Sequence, residues 1–87
     1  MIRFWFEFNL KFGDKNIPPG TLMGCGITAY NYEDALFLLQ EKVFKNRLAP
    51  IKNVVENIDV STLDAGHVLP NMASPNLRGI WFPLGYN

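Results

Sequence analysis

One cysteine, Cys25, and one histidine, His67, are all that this 87-residue chain has of either. A lone thiol closes no internal disulfide, and a lone imidazole leaves the usual zinc-ligand spacings unfilled. No metal or other cofactor is expected. Charge is scarce too, at 18% of residues, with 8 Lys and Arg set against 8 Asp and Glu for a formal net charge of zero. That balance and a pI near 6.5 argue against a nucleic-acid module, which carries a basic patch. No apolar run approaches the roughly 20 residues of a membrane span, and no secretory leader precedes the first strand-like segment. The expected compartment is therefore the cytoplasm, with no membrane partner. Repeats, low-complexity tracts and linkers are missing as well. What the chain does have is 48% hydrophobic residues and 14% aromatics. A chain that apolar and uncharged is not disordered, and its length suits one domain over 1–87.

The opening segment alternates. Ile2, Phe4, Phe6, Phe8, Leu10 and Phe12 share one face, and Arg3, Trp5, Glu7, Asn9 and Lys11 share the other. A period of two predicts a strand over 2–12 with one face on a core. A turn comes next at Gly13–Asn16 and a break at Pro18-Pro19-Gly20. The second strand is expected over 22–30, with Met23, Cys25, Ile27 and Ala29 on one side and Gly24, Gly26, Thr28 and Tyr30 on the other. Glycines two apart on one face permit a bulge or a close approach by another group.

Asn31 is placed to cap a helix whose first turn carries Glu33 and Asp34, the sign that the helix dipole favours. The expected helix runs over 32–46. Its apolar stripe is Ala35, Leu38, Leu39 and Val43, with Leu36 on one edge and Phe37 and Phe44 on the other. Tyr30, just before the cap, is suited to pack on Ala35 as a hydrophobic staple. Val54–Val60 alternates as a third strand, and Arg78–Phe82 is a short fourth, ended by Pro83. The predicted fold class is α+β: a two-layer sandwich, about four mostly antiparallel strands with one helix on one face, in the order ββαββ.

Candidate chemistry centres on the second half. Asp64 precedes His67 by three residues, which suits a carboxylate that orients an imidazole. It equally suits a cap on a turn at Ala65-Gly66 with His67 bonded locally. Cys25 lies on the apolar face of its strand and reads as a buried, inert thiol. Glu56, Asp59 and Asp64 form a small acidic group, either a solvated edge or a face for a basic partner. Arg78, the one formal charge in 65–87, stands beside Trp81, Phe82 and Tyr86. Trp and Arg are the residue types enriched at binding hot spots. If Ile80 and Phe82 enter the core, Trp81 faces outward beside Trp5, unless the 65–77 loop folds back over both.

The stretch VSTLDAGHVLPNM at 60–72, RGIWFPLGY at 78–86 and ITAYNYEDAL at 27–36 resemble a family of small bacterial proteins. Its members are single-domain and cytoplasmic, and some are similar to the immunity proteins encoded beside secreted polymorphic toxins. Asp64, His67, Pro70, Asn71, Arg78 and Trp81 are the matching positions. The resemblance implies an interaction role and carries over no active site.

The expected function is thus a non-enzymatic protein-binding module, an immunity-type inhibitor that blocks a cognate bacterial toxin sterically. Its expected contact residues are Trp5, Asp59, Asp64, His67, Arg78 and Trp81. The alternative is a small enzyme or ligand-binding protein with a pocket around Asp64, His67 and Arg78. A third reading is a homodimer that pairs through a strand edge or the aromatic face.

Overall fold

Alternation in the first ten residues does build a strand. In the computed structural model, which describes residues 1–10, 17–45 and 47–86, β1 spans Ile2–Phe8. The predicted Lys11, Phe12 and Gly13–Asn16 lie outside the described residues. β2 spans Cys25–Ala29, shorter than expected. The preceding residues turn instead, because Thr21 donates to the Pro18 carbonyl through both N–H and hydroxyl, and the Gly24 N–H donates to the Thr21 carbonyl. Leu22 and Met23 are therefore exposed on a turn, not on a core-facing strand.

The helix α1 spans Tyr32–Leu38 and runs on as a π-helical turn, Leu39–Val43. Asn31 caps it as expected, its side chain accepting from the Asp34 N–H at 2.8 Å. The π turn closes on the Phe44 N–H, which donates to the Leu39 carbonyl. A π turn widens the helix by one residue and shifts the phase of the residues beyond it. Phe44 is consequently in the core while Phe37, placed with it on one edge of the stripe, is 55% exposed. Asn46 lies outside the described residues.

β3 spans Ile51–Glu56 and β4 spans Gly79–Phe82, giving one antiparallel sheet in the order β3-β1-β2-β4. The α+β order ββαββ is as predicted. The third strand starts three residues earlier than expected. Its predicted C-terminal residues leave the sheet at Asn57, whose φ of 54° is one that asparagine tolerates.

Two apolar layers sandwich the sheet. On the helix side, Phe4, Phe6, Phe8, Cys25, Ile27, Ala29 and Ile80 pack on Ala35, Leu38, Leu39, Val43 and Phe44. The other side is covered by the irregular segment between β3 and β4, a strap across the sheet. Ile58, Val60, Leu63, Val68, Met72 and Ala73 of the strap lie on Trp5, Trp81 and Phe82. Two single-turn 3-10 helices, Val60–Thr62 and Leu69–Asn71, stiffen it. Its far end is tied to the sheet: the Ala73 N–H donates to the Trp81 carbonyl at 2.8 Å, and the Thr28 hydroxyl to the Pro75 carbonyl at 2.5 Å. The Arg3 guanidinium donates to the Asn76 side chain.

Candidate functional site

The two tryptophans, expected as outward anchors, are not on the surface. Trp5 is 6% and Trp81 1% exposed. The covering loop is the arrangement the structure shows. Their rings lie 6.0 Å apart by centroid, and Phe82 adds a third ring 5.7 Å from Trp5. The two glycines of the second strand segment explain the seat. A Cβ on Gly26 would meet the Trp81 ring at 2.3 Å, and one on Gly24 would meet the Trp5 ring at 2.7 Å. The close approach foreshadowed by that glycine pair is made by indoles.

Phe82 also departs from the expected face. Gly26 pairs with Phe82 but Ile27 pairs with Ile80, so Trp81 is an extra residue in the ladder. This bulge turns Trp81 and Phe82 together under the strap and leaves Ile80 with the helix. One polar atom is stranded by the arrangement. Trp81 Nε1 is buried and has no hydrogen-bond partner among the described residues.

Asp59 and Asp64 are exposed and serve the strap's own turns. Asp59 lies beyond β3, so its face relative to Glu56 is not set by strand alternation. Its carboxylate accepts from the Ser61 hydroxyl at 2.7 Å and the Ser61 N–H at 3.0 Å. Those bonds, the hydroxyl first, hold its carboxyl below the usual range. Asp64 Oδ1 accepts from the Gly66 N–H at 2.7 Å and the His67 N–H at 3.0 Å, with His67 Nδ1 3.3 Å away. These N–H groups, Gly66 first, lower the Asp64 pKa. The turn-capping reading of Asp64 and His67 thus holds. Cys25 is fully buried, and burial pushes its thiol up to about 12, which leaves it unreactive.

Arg78 does not join Asp64 and His67. Its guanidinium grips Asp34 across the fold, Nε donating to Oδ2 at 2.9 Å and Nη2 to Oδ1 at 2.5 Å. The Arg78 bonds are the main reason the Asp34 carboxyl lies below its ordinary value. Asp34 in turn accepts from the Tyr30 N–H at 3.0 Å, and the Arg78 guanidinium carbon sits 5.3 Å from the Tyr30 ring centre. Tyr30 is therefore not a staple: it is 67% exposed, under the arginine. Neither Asp64 nor His67 lines the described recesses of about 820, 380 and 310 Å³, whereas Arg78 lines the second with Leu38, Lys42 and Leu77. The three side chains of the alternative pocket are not assembled into one.

Sequence reading missed Tyr30, Asp34, Phe37 and Leu77 as a surface group. Phe37 is one turn along α1 from both Glu33 and Asp34, and Leu77, 69% exposed, adjoins Arg78. One signal was present: Arg78 is the lone charge of the tail, and Asp34 offers it a carboxylate in the first turn of the helix. Set against protein-family models, curated proteins and solved structures, the chain matches none of them.

Proposed function

We propose that this chain is a non-enzymatic protein-binding module, an immunity-type inhibitor that sits on the working surface of a cognate bacterial toxin. The observation that carries the reading is the Tyr30–Arg78–Asp34 cluster. Tyrosine and arginine are the residue types that dominate binding energy at protein interfaces. Here they are displayed in one fixed geometry, the guanidinium held by a two-point carboxylate grip and laid on an exposed ring. Holding the anchors in place before contact removes part of the ordering cost of association. Exposed Leu77 and Phe37 supply apolar area beside them. Asp59, Asp64 and His67, on the exposed strap, serve as rim contacts, while Trp5 and Trp81 hold the strap in place. Blockade needs no bond-making by this chain, only coverage.

Co-expression with the product of the gene adjacent to its own, in cells that this product alone arrests, is the test. The expected result is restored growth and a co-eluting complex, with Tyr30→Ala and Leu77→Ala each weakening Kd by about tenfold or more. Thermal melting of each variant separates lost contact from lost fold. Absence of both protection and complex overturns the reading.

A further inference from the structure

We infer that the recess of about 380 Å³ beside β4 receives a bulky apolar side chain of the partner protein with a carboxylate next to it, which rests on the binding-module reading. β4 is the last strand of the sheet, and the recess lies where the helix covers one face of that strand and the strap covers the other. Leu38 lines it from the helix, and Ala73 and Leu77 line it from the strap. The Ala73 N–H, bonded to the Trp81 carbonyl at 2.8 Å, fixes the strap side against the strand. Ile80 and Trp81, each 1% exposed, form the floor. Apolar walls around a few polar groups, in a volume above about 300 Å³, are the usual make-up of a binding site.

The polar side chains of the lining are donors. Lys42 makes no ion pair among the described residues, whose two ion pairs are His67–Asp64 and Arg78–Asp34. Ser74 Oγ accepts from the Asn76 N–H at 3.3 Å, and its own proton has no acceptor among the described residues. Arg78 gives Asp34 two of its five N–H groups and keeps three. Among the described residues no carboxylate lines the recess. Charge summed over 32–45 with Arg78 selects no occupant, because Glu33, Asp34 and Glu41 balance Lys42, Lys45 and Arg78 at three each. The selection is local: Glu33, Glu41 and Lys45 are exposed outside the lining, and Asp34 is taken by Arg78. Strap residues 68–77 and tail residues 79–86 add no charge. An apolar group bearing an anion meets the walls and the donors together, whereas a basic side chain would face Lys42 unpaired. Leu77 and Arg78 belong both to this lining and to the surface around Tyr30, so a partner seated there covers the mouth of the recess.

The test is a titration of isotope-labelled protein with the end-blocked dipeptide phenylalanyl-glutamate, monitored by amide NMR shifts. End-blocked phenylalanyl-glutamine and alanyl-glutamate are the comparisons, the first lacking the charge and the second the ring. Shifts centred on Leu38, Lys42, Ser74 and Ile80 are expected, with each comparison weaker by about threefold or more. Lys42→Gln should erase the preference for glutamate over glutamine. Shifts centred on the larger recess at Val43 and Leu48, no shifts with any dipeptide, or a preference that Lys42→Gln leaves unchanged overturn the inference. Lys42→Glu is expected to weaken the complex with the product of the adjacent gene by about tenfold or more. A complex unaltered by Lys42→Glu but lost in Tyr30→Ala overturns the inference and leaves the binding-module reading intact. Dipeptide binding as expected, with neither complex nor protection, overturns that reading while the recess stands as an acid-binding site.

Discussion

The Trp81 indole rests on Gly26 so closely that a single methyl group there would stand 2.3 Å from Cζ3 of the ring. The ring is 1% exposed and cannot swing clear, since Trp5, Phe82 and Val68 enclose it. Gly26→Ala is therefore an overpacking change, expected to lower stability by about 3 kcal/mol, the upper part of the usual range. Gly24→Ala is expected to cost more. Its φ is +130°, and a Cβ there would stand 2.6 Å from the Phe6 carbonyl oxygen, an atom of the ladder itself. Urea unfolding midpoints measure both. A Gly26→Ala midpoint equal to that of the parent chain would mean that the indole is not seated on the sheet.

Burial also changes what Trp81→Ala tests. Truncating a tryptophan of the covered layer is expected to cost about 3–5 kcal/mol in stability. Trp81→Phe should cost less, since it keeps an aromatic ring and removes the stranded Nε1 donor, whose burial without a partner costs roughly 1–3 kcal/mol. The order of unfolding midpoints, parent above Trp81→Phe above Trp81→Ala, is the expected result. A Trp81→Ala chain that melts like its parent but loses partner affinity would return Trp81 to the surface role first expected of it.

These two sites show which parts of the fold were legible in the chain and which were not. The alternation of Phe4, Phe6 and Phe8, the Asn31 cap and the glycine pair are local patterns, and each is read off neighbouring residues. The bulge at Trp81 is not local, because it exists only in the register between β2 and β4. Nor is the π turn that separates Phe37 from Phe44, whose phase shift no period-3.6 stripe reveals. The Asp34–Arg78 pair joins residues 44 apart in sequence, and Asp34 alone reads as an ordinary first-turn acid. The helix-side core could be anticipated; the tryptophan layer with Phe82 under the strap and the candidate surface needed the fold.

Acid should weaken this protein through named carboxylates. Asp34, held low chiefly by the Arg78 hydrogen bonds, is deprotonated in the folded chain at pH values where the unfolded chain has begun to bind a proton. The stability it adds is complete above the unfolded carboxyl pKa of about 4 and is lost as pH falls through the lower folded value. Asp59 and Asp64 act in the same direction through Ser61 and through the Gly66 and His67 N–H groups. Melting temperature should hold steady at mildly acidic pH and fall steeply below about pH 4. Asp34→Asn is expected to melt lower at neutral pH and to show a shallower acid fall. Parallel curves for the variant and the parent would show that the Asp34–Arg78 grip does not form in solution.

The outer edge of β3 bears on self-association. Among the described residues no strand pairs with it, so its backbone donors and acceptors are open to another chain. Glu7 pairs with Asn53 and Phe8 with Ile51, which leaves Lys52 as an unpaired bulge residue near the start of that edge, exposed and charged. A bulge and a lysine are two of the devices that keep sheet edges from pairing. The aromatic face, the other route to a homodimer, is beneath the strap. Lys52→Val removes the charge from a segment otherwise rich in Ile and Val, and is expected to create a concentration-dependent dimer in light scattering after size exclusion. The parent chain should elute as a monomer across the same concentrations. A parent dimer whose mass is unchanged by Lys52→Val would show that association uses a surface other than this edge and that the lysine guards nothing.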